Sequence, residues 1–557
     1  MSSFHPWLKN VWVHHRVEIL LFAAAVALYL PGIHWGLPQA TSAERVKLWA
    51  YDDISPLPAL TEVYHTFVRS APDRWLAYPP LHHFLLGAVY APYLGWLALT
   101  GQLSAPSPVF PYGLHDPVTA FRTLTVIGRL VSILMAAGIV VAVYHACLTL
   151  WDRRAGILSA LAVLVAYPMF YYSKTACLEI PYVFWTSLAL LVYARILTLG
   201  LSVKRVAALG CFAALAVAAK DQAAGLFLLL PLALGVIHIR DWRAGRVSWW
   251  GPPTALLGAG GILYAFGSGL VFDPERYFAH VRWITRPGGM LSEEFVSWYP
   301  ETLWYPETFA GTLALIGAVM QAQVKFVGPI LAAFAIVAIL EAARRDPAKL
   351  WLALPAVGYI ATFIIPIHWF CLRYGMPVML IVALFAGRGL ALALRRARIR
   401  LPAALLGVVA FAWPAFSSLE LVRHLFTDTR LEAERWLAAQ MAPGDRIAAV
   451  HHVNALPRVG PAIQVVTVPT GAAALSFLNA ERPEFLTVIP DWTSVPGTVW
   501  SKAYPDDLHR ALEDHSLGYT LAATFDSGFW PSRPLLDYPA VSPPVRIYRR
   551  VAPGGAE

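Results

Sequence analysis

Apolar runs of about 15 to 20 residues recur along this chain as far as residue 419 and then stop. Runs of that length predict membrane-spanning helices near 17–35, 126–149, 156–171, 179–198, 205–219, 221–237, 252–271, 325–343, 350–367, 375–393 and 401–419. Two more apolar stretches, 81–100 and 309–322, fit either a span or a helix lying along the interface. Charge decides between these. Basic clusters occur at Lys9/Arg16, Arg153-Arg154, Lys204-Arg205, Arg240/Arg243/Arg246, Arg344-Arg345/Lys349 and Arg395-Arg396/Arg398/Arg400. Membrane proteins keep such clusters on the cytoplasmic side. With about eleven spans every cluster falls on one side, and counting only one of the two ambiguous stretches as a span breaks that agreement. Both are therefore expected on the outer surface, with the N-terminus cytoplasmic and the C-terminus external.

This topology leaves three external pieces: residues 36–125, 272–324 and the tail 420–557. The tail opens on a helical pattern, Thr429 to Leu437, stopped by Pro443-Gly444. Short β-like runs follow at Arg446–Val450, Ile463–Val468 and Phe485–Ile489, with Pro and Gly between them. The expected fold is an α-helical polytopic membrane protein with a small soluble α/β C-terminal domain. A transmembrane domain covers 1–419 and the external domain 420–557.

Composition agrees with a bilayer as solvent. Of 557 residues 58% are hydrophobic and 14% charged, against about 25% charged in soluble domains, and the mean hydropathy is +0.55. The net charge of +9 does not point to nucleic acid, because the basic residues lie in short clusters between apolar runs. Cys147, Cys177, Cys211 and Cys371 have unrelated spacings and suit apolar packing. The first apolar run, from Val17, ends in Gly-Leu-Pro rather than a small-residue cleavage site, so it is expected to remain as an anchor.

The chemistry-bearing residues collect at the outer ends. In the first outer loop, Asp52 and Asp53 follow Tyr51, and Trp75 and Tyr78 precede Pro79-Pro80. One carboxylate of an adjacent pair has a raised pKa and suits a general base for an acceptor hydroxyl. The aromatics suit sugar faces. The competing reading of Asp52-Asp53 is a helix cap in a solvated turn. Four cations, Arg129, Lys174, Lys220 and Arg373, sit at outer ends against the cytoplasmic bias. Ionisable groups at such positions are usually functional. Together they suit a lipid-linked phosphate. Alternatively they snorkel, or pair with Glu179 and Asp221. Glu179 opens a span, where it either orients Lys174 or the acceptor or simply favours the helix dipole. His82 and His83 have no metal-ligand spacing and suit an interface. No phosphate loop, dinucleotide fingerprint, nucleophile elbow or zinc pattern is present. An external site without a nucleotide motif needs a donor delivered by the membrane.

These motifs resemble those of the GT-C membrane glycosyltransferases, in particular the group of dolichyl-phosphate-mannose protein mannosyltransferases and aminoarabinose transferases. The likeness runs over roughly 17–400. It is carried by Tyr51-Asp52-Asp53, Tyr78-Pro79-Pro80-Leu81, Gly128-Arg129-Leu130-Val131-Ser132, Tyr171–Pro181 with Glu179, Ala219-Lys220-Asp221 and Arg373-Tyr374-Gly375-Met376-Pro377. The resemblance implies an inverting transfer from a polyprenyl-phosphate sugar donor to a lipid, glycan or protein acceptor on the outer side of the plasma (inner) membrane. It implies Asp52 as base, Lys220 and Arg373 on the donor phosphate, and Arg129 as a weaker phosphate residue. Two departures stand out. Ala77-Tyr78 replaces the Glu-Lys that aminoarabinose transferases carry before Pro-Pro, which weakens a metal site of their kind. The 272–324 loop is too short for the extra domain of protein mannosyltransferases. No cofactor is implied, and a divalent metal is left open. The rival classes are a lipid-linked-glycan flippase or transporter, and a surface-polysaccharide polymerase or ligase. A transporter requires broken helices at the midplane and an inverted repeat, and no repeat stands out.

Overall fold

The computed structural model describes residues 4–46, 48–50, 53–54, 56–69, 76–285, 304–396, 400–450, 457–469, 473–489, 506–526 and 541–551. Each of the expected spans is helical. Asp116 accepts from the Thr119 N–H and starts the helix Pro117–Leu150. Asp152 accepts from two backbone N–H groups and starts Arg153–Leu164. Ser202 starts Val203–Ala219 in the same way. Gly200, at φ 75°, ends Glu179–Leu199.

Seven helices among the described residues are long and apolar enough to cross a membrane: Pro117–Leu150, Glu179–Leu199, Asp221–Arg243, Phe309–Val327, Pro347–Ile367, Leu372–Arg396 and Ala404–Gln440. All but Phe309–Val327 coincide with expected spans. Three other expected spans, Val203–Ala219, Gly251–Gly267 and Pro329–Arg345, have 17 residues each. At 1.5 Å per residue each is about 26 Å long, slightly under a hydrocarbon core of about 30 Å. The expected span 156–171 is interrupted between Leu164 and Tyr167. Among the described residues seven helices reach full spanning length, which leaves the expected count of eleven spans unestablished.

The stretch 309–322 was expected on the surface; it belongs to the longer helix Phe309–Val327, whose composition alone does not keep it there. Its contacts are more informative. The Tyr305 N–H just before it donates to the His368 carbonyl at 2.8 Å, and Trp304 pairs with Trp369. Near its far end, Gln323 Nε2 donates to the Gly375 carbonyl at 3.2 Å. Both ends are therefore tied to one short connector, 368–375. Gly328, at φ 84°, then breaks the chain before Pro329–Arg345.

The bundle is close-packed where side chains are smallest. A Cβ on Gly389 would overlap the Phe334 carbonyl, so Leu372–Arg396 and Pro329–Arg345 meet backbone to backbone there. Beyond Phe426 a mixed sheet forms from β1 (Arg446–Val450), β2 (Gln464–Thr467), β3 (Phe485–Val488), β4 (Tyr519–Phe525) and β5 (Val545–Arg550), in the order β2-β1-β3-β5-β4. β1 is parallel to β2 and β3, and β5 is antiparallel to β3 and β4. Helix Thr429–Gln440 packs Ala433 and Leu437 against this sheet.

The sheet domain is fastened to the segment that follows the first long helix. Arg45 donates to the carbonyls of Val459, Gly460 and Ile463 at 3.2, 3.0 and 2.6 Å. Arg458 donates to the Leu37 carbonyl at 3.1 Å. The Trp35 indole donates to Asp428 at 2.9 Å. The Trp49 ring lies 4.0 Å from the Arg430 guanidinium and 4.6 Å from that of Arg458.

Candidate functional site

The candidate residues sit where helices begin or break. Val203–Ala219 ends at Lys220, whose extended backbone leads into the short turn Asp221–Ala223. Glu179 is the first residue of Glu179–Leu199, where a carboxylate favours the dipole. Arg373 lies in the turn Leu372–Gly375, and Pro377 opens the helix that follows. Three breaks thus converge without placing a charge in mid-span.

At their meeting point Lys220 Nζ donates to Glu179 Oε1 at 2.6 Å, and Arg373 Nε lies 3.7 Å from the same oxygen. The Lys220 and Glu179 side chains are 4% and 1% exposed, and that of Arg373 is 15% exposed. One carboxylate therefore stands between two cations. Tyrosine rings surround the ammonium, with centroids at 5.4 Å for Tyr78, 5.7 Å for Tyr182 and 5.9 Å for Tyr374. Such a site holds positive charge behind aromatic walls and suits a phosphate carrying an apolar tail.

The other two expected cations lie elsewhere. Arg129 is fully buried in mid-helix and donates to the Ile33 and Trp35 carbonyls at 2.7 and 2.6 Å. It also donates from Nε and Nη2 to Asp53 Oδ2, each at 3.4 Å. It knots the segment after the first helix, at Ile33, Trp35 and Asp53, to Pro117–Leu150. Lys174 is 1% exposed. Its ammonium donates to the Phe170 carbonyl at 2.8 Å and faces the Phe170 and Tyr29 rings at 4.9 and 5.9 Å. Burial pushes its pKa down to about 7. The geometry thus divides the four cations into a converging pair and two separate ones. Asp52, Tyr51 and Trp75 lie outside the described residues. Asp53 is buried beside Arg129, and Tyr78 is in the cluster.

Asp221, weighed from the sequence as a partner for these cations, instead accepts from His280 Nε2 at 3.0 Å. His280 Nδ1 donates to the Leu76 carbonyl at 2.7 Å. His280 and Tyr182 were not singled out from the sequence, and Tyr374 only as part of the motif that follows Arg373. A lone histidine in a polar helix carries no motif, and tyrosines are common at bilayer interfaces. His82 is fully buried, and burial with His83 beside it pushes its pKa down to about 3, which fits a neutral packed ring. Among the described residues no three metal-ligating side chains come together. A cavity of about 660 Å³ opens in the seam between the first loop and the sheet domain, bounded by Gln39, Arg122, Asp428, Arg435 and Arg458. It is separate from the cation cluster.

No family model matches the chain, and no curated protein matches it. Solved structures do. ArnT from Cupriavidus metallidurans bound to undecaprenyl phosphate is 13% identical over 96% of this chain and 98% of its own, with a TM-score of 0.47. The Archaeoglobus fulgidus oligosaccharyltransferase in the apo form is 14% identical over 86% of this chain and 70% of its own, also with a TM-score of 0.47. Arabinofuranosyltransferase AftD from Mycobacteria is 14% identical over 97% of this chain and 42% of its own, with a TM-score of 0.38. All three are GT-C superfamily glycosyltransferases, the superfamily that the sequence motifs resemble. At these identities and scores the likeness carries no weight for function, which rests on the site itself.

Proposed function

We propose that this chain is an inverting glycosyltransferase that moves a sugar from a polyprenyl-phosphate donor to an acceptor hydroxyl on the outer side of the membrane. The observation that carries this reading is the convergence of Lys220 and Arg373 on Glu179, within a wall of tyrosines that includes Tyr78 of the first outer loop. The lipid phosphate displaces Glu179 as the counter-charge of the two cations. The acceptor oxygen attacks the anomeric carbon from the face opposite the phosphate. The carbon–oxygen bond to the phosphate breaks, and its electron pair stays on the phosphate oxygen. Lys220 and Arg373 stabilise that charge.

Asp52 takes the acceptor proton. Asp53 is a weaker base, because Arg129 already engages it in a buried pair. The contact of Phe309–Val327 with 368–375 at both ends supports a helix lying along the outer surface, and keeps about eleven spans consistent with the charge pattern. The docking of the sheet domain on the first loop supports an external tail beside the site. In a transfer assay with a lipid-linked sugar in proteoliposomes, Asp52→Asn is expected to lose at least about 100-fold in rate while still binding lipid phosphate. Full turnover of that variant contradicts the base assignment.

A further inference from the structure

Helix Pro274–Thr285 is tied to helix Leu57–Phe67 and to the neighbours of the candidate site by two buried contacts one helical turn apart. Arg276 donates from both terminal nitrogens to Glu62, at 2.7 and 2.9 Å. Glu62 belongs to helix Leu57–Phe67 of the first outer loop. Four residues on, and so on the same face, His280 bridges the Leu76 carbonyl and the Asp221 carboxylate. The His280 ring is 1% exposed. A peptide carbonyl and a carboxylate can only accept hydrogen bonds. With an acceptor at each nitrogen, both contacts close together only when the ring donates twice, as an imidazolium.

The two partners of His280 flank the candidate phosphate site. Asp221 follows Lys220 directly. Leu76 lies two residues before Tyr78, whose ring is 5.4 Å from the Lys220 ammonium. We propose that His280 is a positioning residue: its doubly protonated ring staples the Leu76–Tyr78 segment to Asp221 and so holds Tyr78 against Lys220. This role rests on the reading of Lys220 and Arg373 as the phosphate site. His280 touches neither the phosphate nor the reacting atoms. It acts through Tyr78.

The staple depends on one proton. Once that proton is lost, Nε2 becomes an acceptor facing another acceptor and the contact to Asp221 opens. Burial works against the charged ring, the Asp221 carboxylate and Leu76 carbonyl favour it, and Arg276 opposes it. The balance raises the pKa above that of an ordinary histidine. The remaining groups nearby are accounted for. Glu62 is bound by Arg276. The Tyr264 and Tyr277 hydroxyls bond each other at 3.1 Å. Lys220 is engaged by Glu179. The Trp283 ring, at 6.4 Å, carries no charge.

The test measures undecaprenyl phosphate binding to the full chain in nanodiscs as pH is raised through and beyond the ordinary histidine range, above the second pKa of about 6 of the phosphate. Wild-type affinity is expected to fall about tenfold across this range, the size of one charge-assisted contact. In Asp221→Asn the amide donates to a neutral ring, so the staple closes without the second proton and affinity stays flat with pH. His280→Ala is expected to bind about tenfold more weakly at the lower pH and also without a pH slope. A wild-type profile that is flat overturns the proposal, as does an Asp221→Asn profile with the wild-type slope. If His280→Ala does not fold, the Asp221→Asn slope decides alone. Lys220→Ala and Arg373→Ala separate the two readings. If they bind the lipid normally, the phosphate site itself is wrong. If they lose binding while the His280 and Asp221 variants behave as wild type, only the staple is wrong.

Discussion

Arg129 and Lys220 have the same charge and similar burial, yet their surroundings divide their roles. Arg129 spends its donors on two main-chain carbonyls and a carboxylate. The two carbonyls are fixed parts of the backbone, and both would lose that partner if Arg129 were removed. Lys220 engages one side-chain carboxylate, which Arg373 also approaches, and otherwise faces tyrosine rings. A side-chain carboxylate can rotate away when a better anion arrives, whereas a main-chain carbonyl cannot. What separates an anchor from a binding cation is therefore the replaceability of its partners more than its burial.

The sharpest way to break this comparison is at Arg129. Arg129→Met is expected to cost about 3–5 kcal/mol, because it removes the cation of a buried pair and the donor to two main-chain carbonyls, and to be read as a large fall in the unfolding midpoint. Arg129→Lys restores little, since one ammonium cannot span the same three acceptors. Lys220→Met is expected to cost only about 1–2 kcal/mol in stability, with Glu179 still near Arg373, but to weaken lipid-phosphate binding about 100-fold. If Arg129 variants stay stable and lose lipid binding instead, the comparison is reversed.

Glu179→Gln sharpens it further. Without its carboxylate the two cations repel, so the lipid-free protein is expected to lose about 1 kcal/mol. Lipid phosphate no longer displaces a competitor, so its affinity is expected to rise about fivefold. Lys174 is the mildest case. Its folded pKa of about 7 lies below the ordinary 10.5. Between these values the unfolded chain holds a proton that the folded chain has released, so stability rises as pH climbs from about 7 toward 10. Lys174→Met is expected to stay within about 1 kcal/mol of wild type at neutral pH and to flatten that rise. Thermal unfolding across the range checks both.

The helices and the sheet domain were legible because bilayer thickness and strand alternation leave direct marks on sequence. Phe309–Val327 was harder. Its composition permits a span, and only its ties to His368 and Gly375 show that both ends meet one connector. Lys220, Arg373 and Glu179 were legible as charges at helix ends. Sequence could not separate them from Arg129 and Lys174, because the difference lies in which acceptors surround each cation. His280 was invisible for a related reason: its partners are a carbonyl 204 residues away and a carboxylate 59 residues away, and such contacts leave no local pattern.

The most direct measurement is an experimental structure of the protein with undecaprenyl phosphate bound in nanodiscs. The phosphate is expected within hydrogen-bond reach of Lys220 Nζ and the Arg373 guanidinium, with Glu179 turned away and the Arg129–Asp53 pair unchanged. A phosphate held by Arg129 or Lys174, with the Lys220–Glu179 contact still closed, would contradict the assignment of the site.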